Sequence, residues 1–218
     1  MDKVKLPNGT AIMVSLKEQL NAFSAVNAPA DLTATHLETT LKRFGPVTRS
    51  AFETFRDAVA YLLPIKSFTT RYLILGLDGW SLIVNDMRGE ISYVEAYAIS
   101  RIAGYKAIGV VLNEQRRELH VFEGGKKLRQ VQSEPDGDRW YFREEGKLQP
   151  FEDAEEYTRR PKQDRLRLSA VVKYFKNYTG FDVPDWGRTK FTKFWGLERS
   201  TKDLLVPVQE FDTRFDLG

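Results

Sequence analysis

The sequence predicts an α+β fold: a mainly antiparallel sheet, partly a meander, with helices packed on one face and a helical hairpin at the N-terminus. Three observations predict it. Asp78-Gly79 separates two runs rich in β-branched and aromatic residues, the strongest short hairpin signal. Further strand-like runs after residue 106 are divided by Gly- and Asp-containing turns. Four other stretches carry the apolar spacing of helices, bounded by capping residues and by Gly or Pro.

The elements follow in order. Thr35 to Phe44 puts Leu37, Leu41 and Phe44 on one helical face, with Thr35 and Glu38 at capping-box spacing and Gly45-Pro46 at the stop. A second helix is expected from Ser50, with Glu53 three residues on. It buries Phe52, Phe55, Val59 and Leu62, and Pro64 ends it. These two helices make the hairpin.

Strands Arg71 to Leu77 and Trp80 to Asn85 come next. A helix from Ser92 to Ala103 follows, with Ser92 and Glu95 as its capping box and Gly104 at its end. Lys106 to Leu112 is nearly continuously apolar and reads as a buried strand. Glu118 to Glu123, Lys127 to Gln132 and Arg139 to Arg143 continue as a meander, with a last short strand after Gly146. The sheet joins the 71–85 hairpin to the 106–143 strands, and the 92–103 helix must cross it. A final helix runs from Ser169 to Thr179, capped by Ser169 and stopped by Gly180. Beyond it the chain is aromatic and irregular. The whole reads as one domain over 1–218, with a helical part (1–65), an α+β core (66–180) and a basic aromatic C-terminal segment (181–218).

Composition narrows the function. The chain has 218 residues, 42% hydrophobic and 29% charged, which is globular. It has no cysteine, so disulfides, iron–sulfur clusters and thiol catalysis are excluded. Its histidines, His36 and His120, have no nucleophile or metal-ligand motif beside them. Gly124-Gly125 lacks the remainder of a phosphate loop, and Asp136-Gly137-Asp138 is a turn rather than a calcium loop. No catalytic residue, metal or cofactor is expected. No apolar run approaches membrane-spanning length, and Met1 to Asn8 carry charges and a proline where a secretory leader would be apolar. A cytoplasmic protein is expected.

Charge is unevenly placed. The net charge is only +3, but residues 159–202 hold twelve Lys or Arg against four Asp or Glu. Tyr174, Phe175, Tyr178, Phe181, Trp186, Phe191, Phe194 and Trp195 interleave with them. Cations among aromatics suit a protein interface, or a nucleic-acid surface of weak, salt-sensitive affinity. They equally describe core rings beside a solvated charged face. On the interface reading, Trp186, Arg188, Lys190 and Lys193 contact the partner. Trp186 lies in a turn-like run and is expected partly exposed, whereas Trp195, set among Phe191, Phe194 and Leu197, is expected in the core. Upstream, Glu144, Glu145, Glu152, Asp153, Glu155 and Glu156 form an acidic cluster. Glu152, Asp153, Glu155 and Glu156 either face a basic partner or serve a turn and the first turn of a helix.

One stretch carries a resemblance. Trp80 to Asn85, Asp138-Arg139-Trp140-Tyr141-Phe142, Gly146, Pro150-Phe151-Glu152, Tyr157, Arg160 and Asp164-Arg165 together resemble a group of uncharacterised bacterial immunity-like proteins associated with toxin loci. The similarity covers about residues 70 to 180. It implies a bacterial cytoplasmic protein that binds and blocks a cognate toxin, with no catalytic residue. The strongest charge excess here is positive. A toxin with a basic nuclease face would therefore have to meet the acidic 144–156 segment instead.

Overall fold

A computed structural model describes residues 21–62, 69–86, 93–186 and 188–200. The strands are β1 (Ala22–Val26), β2 (Val47–Phe52), β3 (Thr69–Leu77), β4 (Trp80–Asn85), β5 (Ala107–Leu112), β6 (Arg117–Glu123), β7 (Lys126–Asp136), β8 (Arg139–Gly146) and β9 (Phe194–Ser200). The helices are α1 (Ala30–Leu41), α2 (Phe55–Tyr61), α3 (Tyr93–Ala103), α4 (Ala154–Thr158) and α5 (Leu168–Thr179). The strands form one sheet in the order β2-β9-β3-β4-β1-β5-β6-β7-β8. Each described ladder is antiparallel.

The expected hairpin, meander, 93–103 helix and 168–179 helix are present. Since β4 and β5 both run antiparallel to β1, they are parallel to each other, and α3 makes the crossover between them. Gly180, in the left-handed conformation at φ 85°, ends α5 and donates its N–H to Lys176 O at 2.8 Å. At the other end of α5 the cap position is Arg167, not Ser169.

The helices lie on both faces of the sheet, not on one. Alternation along β3 makes this necessary: Leu73 and Leu75 enter one apolar cluster, Tyr72 and Ile74 the other. The first cluster packs Leu82, Val110 and Val121 under Ala58, Tyr157, Val171, Tyr174 and Phe175, from α2, α4 and α5. The second packs Ile83, Ala107 and Phe122 under α1 and α3, through Ala34, Leu37, Leu41, Ala96 and Ile99.

Among the described residues, 35–62 do not form the expected helical hairpin. Residues 50–52, expected to open the second helix, belong to edge strand β2, and α1 and α2 sit on opposite faces. Thr54 rather than Ser50 caps α2, its hydroxyl accepting the Asp57 N–H at 3.1 Å. Thr35 lies inside α1, with its hydroxyl bonded back to Asp31 O, so it caps nothing. The short strand expected directly after Gly146 is not formed; residues 147–153 are turns and irregular backbone leading into α4. Ser92 and Pro64 lie outside the described residues.

Of the three strands that the sequence did not announce, β1 and β9 hold the middle of the sheet together. β1 fills the gap between β4 and β5, and β9 inserts between β2 and β3. β9 reaches its place because Gly196 has no side chain. A Cβ there would come within 2.7 Å of Tyr61 Cε1 and 2.8 Å of Phe52 Cε2. Gly196→Ala is therefore expected to destabilise the fold by about 1–3 kcal/mol in denaturant titration, as overpacking does elsewhere.

Candidate functional site

The basic aromatic segment separates into an inside and an outside. Tyr174 and Phe175 are fully buried, and Tyr178, Phe181, Trp186, Phe191 and Phe194 pack against the same cluster. From α5 the chain runs back to the sheet and pairs with the end of β3: Gly76 N–H donates to Lys193 O, and Thr192 N–H to Gly76 O, both at 2.9 Å. Arg160, Lys162, Lys173, Lys176, Arg188, Lys190 and Lys193 point into solvent. Three of these have acidic neighbours: Lys176 with Asp182 (2.8 Å), Arg188 with Asp185 (3.5 Å) and Lys193 with Asp31 (3.8 Å).

The two tryptophans differ in a way the sequence did not indicate. β9 alternates, so Phe194 joins one face and Trp195 the other. Trp195 is half-buried on the α1 side. It donates its indole N–H to Asp31 Oδ1 at 2.8 Å and carries the Arg49 guanidinium 3.9 Å above its ring. Trp186 is also half-buried, but its ring stands edge-on to fully buried Phe23 at 5.6 Å and stacks on Phe191 at 6.0 Å. Trp186 is the one anchored in the larger core. Trp186→Ala is expected to lower stability by about 2–3 kcal/mol, and Trp195→Ala by about half of that, measured by chemical denaturation.

The acidic cluster is largely engaged inside the molecule. The Glu152 side chain is fully enclosed and accepts from Arg129 Nε at 3.1 Å, Gln149 N–H at 2.9 Å and the Tyr157 hydroxyl. Glu156 accepts from Arg167 N–H (2.8 Å), Arg167 Nη2 (2.9 Å) and Arg159 Nε (3.0 Å). Burial alone would raise Glu156, but these donors hold it below the usual carboxylate value. Asp153 caps α4 by accepting the Glu155 N–H at 3.0 Å, and Glu155 is exposed. Glu152 thus joins the 150–167 loop to β7 and Glu156 ties that loop to itself, so neither is surface for a partner. Several of the residues that carried the resemblance lie around this joint, whereas Trp80 to Asn85 forms β4 in the middle of the sheet. Arg117 lies 5.1 Å over Trp140, Arg165 lies 5.2 Å over Phe142, and Phe142 is 6.1 Å from Tyr157.

Two further titratable groups lie beneath α3. His120 is stacked under Tyr93 at 4.2 Å and bonds Glu118 through Nε2 at 2.8 Å. Arg116 Nε reaches the same carboxylate at 2.5 Å. Burial pushes His120 below its ordinary value, so it is neutral, with Nε2–H donating to Glu118 and buried Nδ1 facing no partner among the described residues. The i, i+2 spacing of Glu118 and His120 along a strand was the available signal for this pair. His36, on α1, stands edge-on to the ring of Tyr105 at 6.0 Å.

Glu95, on α3, is buried, bonded to the Tyr72 hydroxyl and near Arg199. Burial raises it to about 7. Among the described residues no group of three His, Asp or Glu converges as a metal would require.

Glu95 makes a pH prediction. As pH rises from about 4.5 to 7, the unfolded chain releases a proton that native Glu95 retains, so stability falls across that window and then levels. His120 has the opposite sign: as pH falls through about 6.5, the unfolded chain gains a proton that the native ring refuses. Glu95→Gln is expected to remove the first effect. It should stabilise the protein by up to about 3 kcal/mol at pH 7 and by little at pH 4.5, measured by urea unfolding against pH.

One open concavity of about 290 Å³ lies between the β3–β4 turn and the end of α5, lined by Leu77, Asp78, Trp80, Thr179, Gly180 and Phe181. No described helix is long and apolar enough to cross a membrane. Comparison of the chain with protein-family models, with curated proteins and with solved structures finds no match.

Proposed function

We propose that this chain is a non-catalytic binding protein of the immunity type, which acts in the bacterial cytoplasm by covering a cognate toxin. The observation that supports the reading is the arrangement of residues 159–195, in which the rings anchor the segment inward and the cations stand outside on a rigid frame. A stoichiometric inhibitor needs such a frame with a charged rim. Rim charge mainly speeds encounter and sets salt dependence, while packed residues hold the surface in shape. Of the residues first assigned to the contact, Arg188, Lys190 and Lys193 remain exposed, and Trp186 supports them from beneath. Glu155 is the exposed member of the acidic set that is not a helix cap.

The inward packing of the rings favours protein over single-stranded nucleic acid. Base stacking needs free π-faces, and Tyr174 and Phe175 have none to offer.

The test is co-expression with the toxin encoded beside its own gene, together with size-exclusion chromatography of the mixed proteins near physiological salt. Rescue of growth and a one-to-one complex are expected. Charge reversal at Lys173 and Lys190 should slow association roughly tenfold with an unchanged melting temperature. Failure to rescue, or sub-micromolar binding of duplex DNA at that salt, overturns the reading.

A further inference from the structure

We propose that the hollow between the β3–β4 turn and the end of α5 is the seat for an arginine side chain of a protein partner. The seat deepens the reading of this chain as a binding protein and rests on it.

The hollow is open by construction. Gly79 at φ 68° and Gly180 at φ 85° form its turns, and a Cβ built on either meets nothing within 4 Å. Its walls are apolar and aromatic: Leu77, Trp80 and Phe181, the two rings 6.0 Å apart and 70° to each other. Such walls take a planar, weakly hydrated guanidinium more readily than a compact, strongly hydrated ammonium.

The charge at the hollow is negative from two independent sources. Asp78 stands on the turn, and among the described residues it forms no ion pair. The twelve-residue helix α5 ends at Thr179, so the negative end of its dipole faces the same space. Lys176, in the last turn of α5, does not neutralise the hollow. Its ammonium lies 2.8 Å from Asp182, and both side chains are more than half exposed, a pairing of small worth. An entering cation therefore meets a carboxylate, a helix C-terminus and aromatic walls with no resident counter-charge among the lining residues.

The probe is N-acetyl-arginine amide, titrated into the whole chain while the Trp80 indole N–H and the Gly79 and Gly180 amides are followed by nitrogen-15 NMR. N-acetyl-lysine amide and the neutral N-acetyl-norleucine amide are the comparison arms. Saturable shifts confined to those groups are expected with arginine, with affinity on the order of millimolar. Lysine should bind several-fold more weakly, and norleucine not at all. Asp78→Asn keeps the turn, since Asn-Gly suits a tight hairpin as well as Asp-Gly does, and should weaken arginine roughly two- to fivefold. Equal binding of norleucine, indifference to Asp78→Asn, or no saturable shift overturns the seat. None of these outcomes touches growth rescue by the chain, which reads the immunity function separately.

Discussion

The insertion of β9 between β2 and β3 is the constraint on which the rest of the structure depends. Two ladders of backbone hydrogen bonds hang from one seven-residue strand, and without it β2 and β3 would each leave a row of N–H and C=O groups unmatched. β9 also fixes where the preceding chain must travel. From the end of α5 it must cover the lower apolar layer before turning up at Gly76, and it does so by laying Phe181, Trp186 and Phe191 on that layer. The cations between those rings have nowhere to go but outward. The basic rim follows from the strand order rather than from any separate structural element.

Interior charge is handled differently at the two ends of the sheet. Near β7 and β8, Arg129, Glu152, Glu156 and Arg167 are matched donor to acceptor, and the loop they hold packs like a solid joint. On and beneath α3, burial pushes Glu95 and His120 toward their neutral forms, and each has one buried polar atom without a partner among the described residues. Matched buried pairs fix geometry, and removing one member of such a pair is costly. Neutralised groups fix geometry only within a range of pH.

Much of the fold was legible because its signals are local. Asp78-Gly79 marks its hairpin, Gly180 marks the end of α5, and the alternation over 117–143 marks the meander. β1 and β9 were illegible because their partners are remote. Ala22–Val26 is short and built of small residues, and Phe194–Ser200 follows an irregular aromatic run, so neither announces a place in the middle of a sheet. The misread start of α2 has a similar origin. Ser50, Phe52, Glu53 and Phe55 satisfy helical spacing, and only the ladder to β9 settles residues 47–52 as strand. Of the candidate contact residues, exposure of the lysines followed from their chemistry. The enclosure of Glu152 and Glu156 did not, because their arginine partners come from β7 and from beyond the loop.

The place of β9 sets an order of events at the ribosome. Phe52 pairs with Phe194, so about 140 residues must be synthesised after β2 before its ladder can form. At ordinary elongation rates that interval is roughly 7 to 30 seconds. The β3–β4 hairpin and the β5–β8 meander have all their partners in hand earlier, apart from the contacts that await β9. During the wait β3 is the open edge of an otherwise advanced sheet and β2 has no strand to pair with, which makes the nascent chain a client for holding chaperones and leaves a prematurely terminated product open to edge-to-edge aggregation.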